Sequence, residues 1–230
     1  MVVTAAGSVA NRAFSGSGLA PIPRYSKFEM QGLIEYGLTD KFTVILAPSL
    51  QSIDIGAPVD AKRTGFGYTE IGGRYLLLQN GSWVVSGQAT ARIPGVSDTS
   101  SPAAIGYTGY ETDVRALIGR SFSIGGVPAF VDMQFAQRFC ANDFPNEFRA
   151  DLTFGVRASE RWLLLAQSFN VISEGSAGSI FPSYGYYKFQ FSGVYSITPS
   201  LAVQAGAFTT YAGRNALQEN GGIVGLWYKF

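Results

Sequence analysis

The sequence predicts an all-β protein: a closed, antiparallel transmembrane β-barrel of about twelve strands that occupies residues 1–230 as a single domain. Three observations lead to this prediction. Apolar and polar side chains alternate along nearly the whole chain, short and long connections follow each other in turn, and aromatic residues gather on the apolar row beside the short connections. Alternation with period two is typical of a strand with two different faces, because a helix repeats every 3.6 residues.

The composition excludes several other classes of protein. Only 14% of the 230 residues are charged, compared with roughly 25% in soluble domains. The formal net charge of +1 gives no reason to expect a nucleic-acid partner. A single cysteine cannot form an intrachain disulfide or a paired-cysteine metal site. No apolar run reaches the ~18 residues of a membrane helix. The first residues do not resemble a signal peptide, so we expect that one has been removed before Met1.

The strands are read from the alternation in chain order. In 27–38, Phe28, Met30 and Ile34 form one row, and charged residues form the other. A polar turn at 39–41 precedes a second apolar row that begins at Phe42. The same pattern predicts strands in the segments 67–78, 82–93, 110–119, 127–139 and 147–157, and less regularly in 162–171, 186–196, 201–211 and 221–230. The first segment, 2–11, is the weakest because both of its rows carry small residues.

The connections predict an up-and-down meander. Short turns with Asn-Gly, Gly-Gly or Pro-Ser chemistry fall at 38–41, 78–82, 120–126, 158–161 and 197–200. Long loops rich in Gly, Ser, Pro and Asp fall near 12–24, 52–66, 94–109, 140–146, 173–183 and 212–220. This alternation is typical of barrels with short periplasmic turns and long extracellular loops. Pro48 cannot donate to a strand ladder, so we expect the wall to give way to an outer loop there. The charged loop 52–67 is predicted to be able to fold into the mouth.

Three features predict that the polar row faces inward. About twelve strands enclose more space than the eight strands whose interior side chains just fill, so a charged lining could hold water there. The aromatic residues beside the short turns match the girdle at a membrane–water boundary; they are Tyr36, Phe42, Tyr75, Trp83, Phe122, Trp162, Tyr195 and Tyr228. The alternating apolar last strand ends in Phe230, which is similar to the insertion signal of bacterial outer-membrane barrels. We therefore predict a location in the bacterial outer membrane, with lipid around the apolar row.

Two stretches carry a resemblance to a known family. They are EYGLTDKFTVILAPSLQ (35–51) and YTEIGGRYLLLQNGSWVVSGQATARIPG (68–95). The chain resembles the outer-membrane transporter family associated with meta-pathway phenol degradation, whose members show a YGLTD-like turn and an acidic-x-Gly-x-basic-Tyr strand. The resemblance implies a barrel and the passage of small or aromatic solutes. It implies no functional residues, because its motifs are structural.

The inward row contains the candidate functional residues. The predicted pore-lining residues are Lys27, Glu29, Glu35, Glu70, Arg74, Arg92, Glu111, Asp113, Arg115, Asp132, Arg138, Arg149, Asp151, Arg157 and Lys188. Acids and bases are nearly matched in number, and cross-strand partners lie about 4.5–5.5 Å apart. Either the charges pair into a ladder that rigidifies the wall, or acids and arginines face each other and orient a solute. The most basic part, with Arg138, Arg149 and Arg157, is the candidate surface for an anion.

A second candidate site lies in the stretch FPSYGYYKF (181–189) at the long-loop end. Phe181, Tyr184, Tyr186 and Tyr187 could belong to the outer aromatic girdle. Alternatively, Tyr184, Tyr186 and Tyr187 could form a platform on which an aromatic solute or a sugar stacks.

The absence of histidine from the sequence argues against an enzyme. Barrel enzymes of the phospholipase, deacylase and omptin types use a histidine as base. No cofactor, catalytic residue or metal site is predicted. The predicted function is a channel for the passive diffusion of small solutes, with the lipid bilayer as its surroundings. The alternative is a structural barrel with a blocked lumen that binds a partner protein; a homo-oligomer is compatible with both.

Overall fold

A computed structural model describes residues 1–16, 18–95, 101–105, 109–141, 144–176 and 182–230. These residues form fifteen β-strands in one sheet: Val2–Ser15 (β1), Gly18–Gly37 (β2), Phe42–Ala47 (β3), Ser49–Ile55 (β4), Ala61–Phe66 (β5), Tyr68–Asn80 (β6), Trp83–Pro94 (β7), Glu111–Ile124 (β8), Val127–Cys140 (β9), Glu147–Val156 (β10), Trp162–Ser173 (β11), Gly185–Ser196 (β12), Leu201–Arg214 (β13), Ala216–Leu217 (β14) and Asn220–Tyr228 (β15). Within these ranges no helix is long and apolar enough to cross a bilayer.

The sheet closes into a barrel. β3 with β4, β5 with β6, and β14 with β15 each form one interrupted barrel strand, which gives twelve strands in the described part of the chain. Every pairing is antiparallel, and β1 closes the sheet by pairing with both β2 and β15. Val2 lies opposite Leu33 on one side and Trp227 on the other. Closure pairs the first barrel strand with the last, so the wall has no open edge between them. The predicted twelve-stranded antiparallel barrel is confirmed.

The connections separate into two ends. The short-turn end carries the turns after β2, β6, β8, β10 and β12, together with both termini; the amino group of Met1 donates a hydrogen bond to the carbonyl oxygen of Tyr228 (2.8 Å). In the turn after β8, Gly125 and Gly126 have φ of 57° and 85°, so glycine is the residue that fits both positions. The opposite, long-loop end carries the remaining connections.

Two predicted loops are strands in the structure. The prediction of a loop at 12–24 is wrong, because β1 and β2 continue as a paired hairpin to Ser15 and Gly18. The prediction that 52–67 folds into the mouth is also wrong. β4 and β5 pair with each other and extend the wall, and the outward Asp54 and Lys62 pair at 3.7 Å. Strand hairpins beyond the bilayer need no strict apolar alternation, which explains why the sequence pattern did not reveal them.

Pro48 interrupts the wall without ending it. The carbonyl oxygen of Pro48 accepts a hydrogen bond from the backbone N–H of Gly32 (2.9 Å), and β4 resumes at the next residue. The missing donor of proline therefore costs one ladder bond, and the strand continues toward the long-loop end.

The two faces of the wall are inverted relative to a soluble protein. Outward Phe28 and Leu152 are 49% and 43% exposed, whereas inward Glu111 and Asp113 are 4% and 2% exposed. Large exposed apolar side chains around a closed sheet are typical of a surface that faces hydrocarbon. The predicted orientation of the apolar row is confirmed.

Aromatic rings flank this apolar surface at both ends. At the short-turn end, Tyr36 stacks on Phe230 with ring centroids 6.2 Å apart, and Trp162 and Tyr195 lie 5.0 Å apart. At the long-loop end, Tyr187 and Tyr211 lie 6.3 Å apart. Two aromatic bands on either side of an apolar band match the two interfaces of a bilayer.

Candidate channel lumen

The inward face of β6 to β10 carries a network of ion pairs, which we call the arginine ladder. It contains Glu70, Arg92, Glu111, Asp113, Arg115, Arg138, Glu147, Arg149 and Asp151. At its first step, Arg92 on β7 bridges Glu70 on β6, 2.7 Å from Nε to Oε1, and Glu111 on β8. The guanidinium of Arg92 also lies over the ring of Tyr68, 4.3 Å from the centroid. Arg92 is therefore paired with an acid on each of its two neighbouring strands.

Arg138 is the centre of the arginine ladder. Its Nη2 lies 3.1 Å from Oδ2 of Asp113, its Nε 3.7 Å from Oε2 of Glu111, and its Nη1 3.6 Å from Oε2 of Glu147. Glu147 also accepts a hydrogen bond from Nη1 of Arg149 (3.1 Å). The side chains of these three acids are between 3% and 8% exposed. Charges buried this deeply are stable only when they are paired.

A branch of the ladder reaches deeper into the barrel. Arg115 lies 3.3 Å from Asp113 and 2.8 Å from Asp151, and its Nη1 donates to Gln134 Oε1 (2.7 Å). Gln134 in turn donates to Asp132 (2.6 Å). In this branch Arg115 pairs with an acid on its own strand and with one two strands away, so the contacts go beyond the directly opposed cross-strand pairs.

A second group of charges, the lysine cluster, lies on the other side of the lumen and contains Lys27, Glu29, Lys188 and Glu219. Nζ of Lys188 lies 3.0 Å from Oε2 of Glu219, and Nζ of Lys27 lies 3.4 Å from Oε2 of Glu29. Lys27 is also 4.0 Å from Glu219. Closure of the barrel creates the cluster, since its members come from strands at both ends of the chain.

The short-turn half of the lumen has fewer charges. Arg74 contacts Glu35 (2.7 Å) and donates to Gln88 Oε1 (3.0 Å). Below the arginine ladder the lining becomes mostly apolar. Phe130, Leu163, Leu165, Ile223 and Trp227 surround one cavity, which Asp132, Gln167 and Gln204 also line. The ion pairs of the lumen therefore lie mainly in the long-loop half.

Arg157 does not join the other predicted pore-lining residues. It follows the end of β10, is exposed, and lines the rim of the short-turn end with Glu35. Eight residues of strand separate it from Arg149, which corresponds to about 26 Å. The expected grouping of Arg157 with Arg138 and Arg149 is therefore wrong. The other fourteen predicted pore-lining residues lie on the inward face.

The three candidate stacking tyrosines divide between the faces of the wall. Tyr184 and Tyr186 face the lumen and line a shared cavity, and the Tyr184 hydroxyl donates to Oε1 of Glu147 (2.5 Å). Tyr187 lies on the outer face beside Tyr211, because successive residues of β12 point to opposite sides. Phe181 lies outside the described residues.

A loop segment occupies part of the mouth at the long-loop end. Residues 101–105, which we call the mouth segment, pack against the inward side chains of β4. Ala103 and Ile105 are 0% and 5% exposed and form a cluster with Ile53, bordered by Tyr25 and Ile55. The hydroxyl of Tyr68 also donates to the carbonyl oxygen of Gly109 (2.8 Å). The mouth segment therefore narrows the entrance.

Three cavities follow each other along the lumen. The first, about 350 Å³, adjoins the long-loop end; the second, about 340 Å³, shares Lys27, Tyr186 and Lys188 with it. The third, about 580 Å³, is mostly apolar and shares Phe169 and Gln190 with the second. The cavities thus adjoin one another from the mouth toward the short-turn end.

Sequence reasoning missed two charged members of the lumen. Glu147 has the same parity on β10 as Arg149 and Asp151, so the alternation could have identified it. Glu219 lies between β14 and β15, in a segment that the sequence assigned to a loop. Its partners Ser8 and Lys188 are known only once the barrel is closed.

The fold is that of known outer-membrane barrels. The chain superposes on an outer-membrane channel from Pseudomonas putida F1 with a TM-score of 0.82 and 13% identity, covering 100% of this chain and 94% of that one. It superposes on the NanC porin with a TM-score of 0.62 and 9% identity, covering both chains completely. It superposes on the KdgM porin in complex with disordered oligogalacturonate with a TM-score of 0.56 and 7% identity, covering 100% of this chain and 99% of that one. No protein-family model matches the sequence, and no curated protein matches it significantly. At these identities the comparison shows the fold, and the chain has the fold of the outer-membrane β-barrel channels.

Proposed function

We propose that the protein is a bacterial outer-membrane channel through which small solutes diffuse passively. The observation that carries the proposal is the series of three adjoining cavities inside a closed barrel. Polar and charged side chains line the first two cavities, and apolar side chains cover the outside of the wall. A hydrated lumen in a wall that faces lipid needs no chemical step to move a solute. The structural likeness to channels and porins supports the same reading.

The lining favours small aromatic or anionic solutes. Lys27, Arg149 and Lys188 surround the second cavity, and the apolar third cavity follows it. A solute that passes both must be compatible with cationic donors and with an apolar wall. Similar passage of small or aromatic solutes is implied by the family that the sequence resembles.

Conductance across planar lipid bilayers tests the proposal. The purified protein should give steady current steps whose size rises with salt concentration. Membranes prepared with the same detergent and no protein are the control. A folded, inserted barrel that passes no current at any voltage would contradict the channel.

One observation favours a second candidate function, a barrel with a blocked lumen that binds a partner protein. The mouth segment occupies part of the entrance, and below it Arg149 and Lys27 line the same cavity from opposite sides of the barrel. If no current is seen, this candidate gains support, and a partner would be sought at the long-loop end by cross-linking in intact outer membranes.

A further inference from the structure

We propose that the second lumen cavity is a binding site for a small carboxylate that carries an aromatic ring. The inference rests on the proposed channel function and names the class of solute for it. The site is formed by Lys27, Arg149 and Lys188 as cationic donors, with Tyr186 and Phe208 as aromatic walls.

The cavity brings together cations from opposite sides of the barrel wall. Arg149 comes from β10, the eighth barrel strand, and Lys27 from β2, the second, so they stand on opposite sides of a twelve-stranded wall. Both nevertheless line one cavity of about 340 Å³. That volume equals roughly eleven water molecules at ~30 Å³ each, which is enough for a ligand of the size of benzoate. A solute in this cavity therefore lies between these two cations.

The acids beside this cavity are already engaged by donors of the protein. Each carboxylate oxygen of the two acids in the lysine cluster already has a partner. Glu29 is engaged by Gln51 (2.8 Å) and Lys27 (3.4 Å), and Glu219 by Ser8 (2.9 Å) and Lys188 (3.0 Å). The lysines retain donor capacity, because each ammonium group carries three N–H bonds.

Arg149 adds a further N–H donor. Its Nη1 bonds Glu147, but among the described residues its Nε has no hydrogen-bond partner. The side chain is only 19% exposed, so an unused N–H here is costly unless a water or a ligand accepts from it. The Nε atom itself is buried, so an anion in the cavity would accept from the remaining ammonium N–H groups of Lys27 and Lys188 and lie beside the positive guanidinium of Arg149.

The surrounding rings explain the aromatic part of the ligand. Nζ of Lys188 lies 5.0 Å from the ring centroid of Phe208 and 5.8 Å from that of Tyr186, so the cation is bounded by aromatic faces. Phe169 lines this cavity and also the apolar third cavity. A carboxylate held by the cations would therefore place an attached ring against these aromatic residues. A small inorganic anion would leave that surface unused.

Calorimetric titration of the purified barrel in detergent tests the site, with benzoate as the probe. Benzamide lacks the charge and acetate lacks the ring, and both should bind more weakly than benzoate. Arg149→Gln and Lys188→Gln should each weaken benzoate binding by about tenfold or more, the loss expected for a hydrogen bond to a charged group. Tyr186→Leu should weaken benzoate binding and leave acetate binding unchanged.

Lys62→Gln is the matched control, because it removes a cation from the outer wall, and it should leave benzoate binding unchanged. Circular dichroism checks that each variant is a folded barrel. Equal affinities for benzoate and benzamide, or unchanged affinity in both charge variants, would overturn the site. Conductance of the same preparations keeps the two proposals separate. Current without benzoate selectivity rejects only the site, and benzoate binding without current rejects only the channel.

Discussion

At the scale of single residues, Arg138 has the largest number of charged partners in the lumen. Its side chain is 9% exposed and contacts Glu111, Asp113 and Glu147. We expect Arg138→Met to lower the free energy of unfolding by about 3–5 kcal/mol, because buried acids lose a shared counter-ion while the volume is kept. Urea unfolding in lipid vesicles, followed by tryptophan fluorescence, measures the loss.

Lys62→Met provides the comparison at an exposed ion pair. Lys62 and Asp54 are 70% and 54% exposed and 3.7 Å apart. A pair of this kind contributes about 0–1 kcal/mol, so the unfolding curve should hardly move. Equal effects of the two substitutions would show that the arginine ladder does not stabilise the wall.

At the scale of single elements, the mouth segment is expected to limit the current. Ile105→Asp would place a carboxylate beside Ile53, at a site that is 5% exposed. An unpaired buried charge costs several kcal/mol, more than the ~1.5–3 kcal/mol gained by burying the isoleucine. The segment should therefore leave the mouth, and the single-channel conductance should rise above that of the unmodified protein.

Val59→Asp is the control for this experiment. Val59 lies in the turn between β4 and β5 and is 42% exposed, so a charge there is hydrated and the conductance should stay the same. An unchanged conductance in Ile105→Asp, with the barrel folded, would mean that the mouth segment does not obstruct the pore.

The elements differ in how well the sequence predicted them. The alternation identified strands such as β8 and β9 because one of their faces meets lipid and the other meets charges. It did not identify residues 18–24 of β2, or β4 and β5, as strands, because neither face of these segments has to be apolar. The position of Ala103 and Ile105 could not be predicted, since a short apolar stretch in a loop does not specify which surface it packs against.

At the scale of the whole molecule, closure of the barrel determines which inward side chains contact each other, and the alternation alone does not specify these contacts. The pattern predicts which residues face inward, and Lys27 and Glu29 line an inner cavity of the barrel. It does not show which inward residues meet. Ser8 and Glu219 are 211 positions apart in sequence and bond only because β1 pairs with β15. For the same reason the concentration of charge in the long-loop half became visible only in three dimensions.

Two adjacent residues in the middle of β10 test the inverted architecture. Leu152 points outward, lies opposite Met133 and Ser168 in the middle of the neighbouring strands, and is 43% exposed. Thr153 points inward and lines the third cavity. Leu152→Arg should lower the free energy of unfolding in vesicles by about 2–4 kcal/mol, the cost of an arginine at the bilayer midplane.

Thr153→Arg introduces the same side chain one position along, where the lumen can hydrate it. We expect a smaller loss of stability and a measurable change in ion selectivity, read from the reversal potential in a salt gradient, because the new charge lies in the permeation path. Leu152→Arg should leave the reversal potential unchanged. Similar losses of stability in both variants would mean that the outer surface of this barrel does not lie in hydrocarbon.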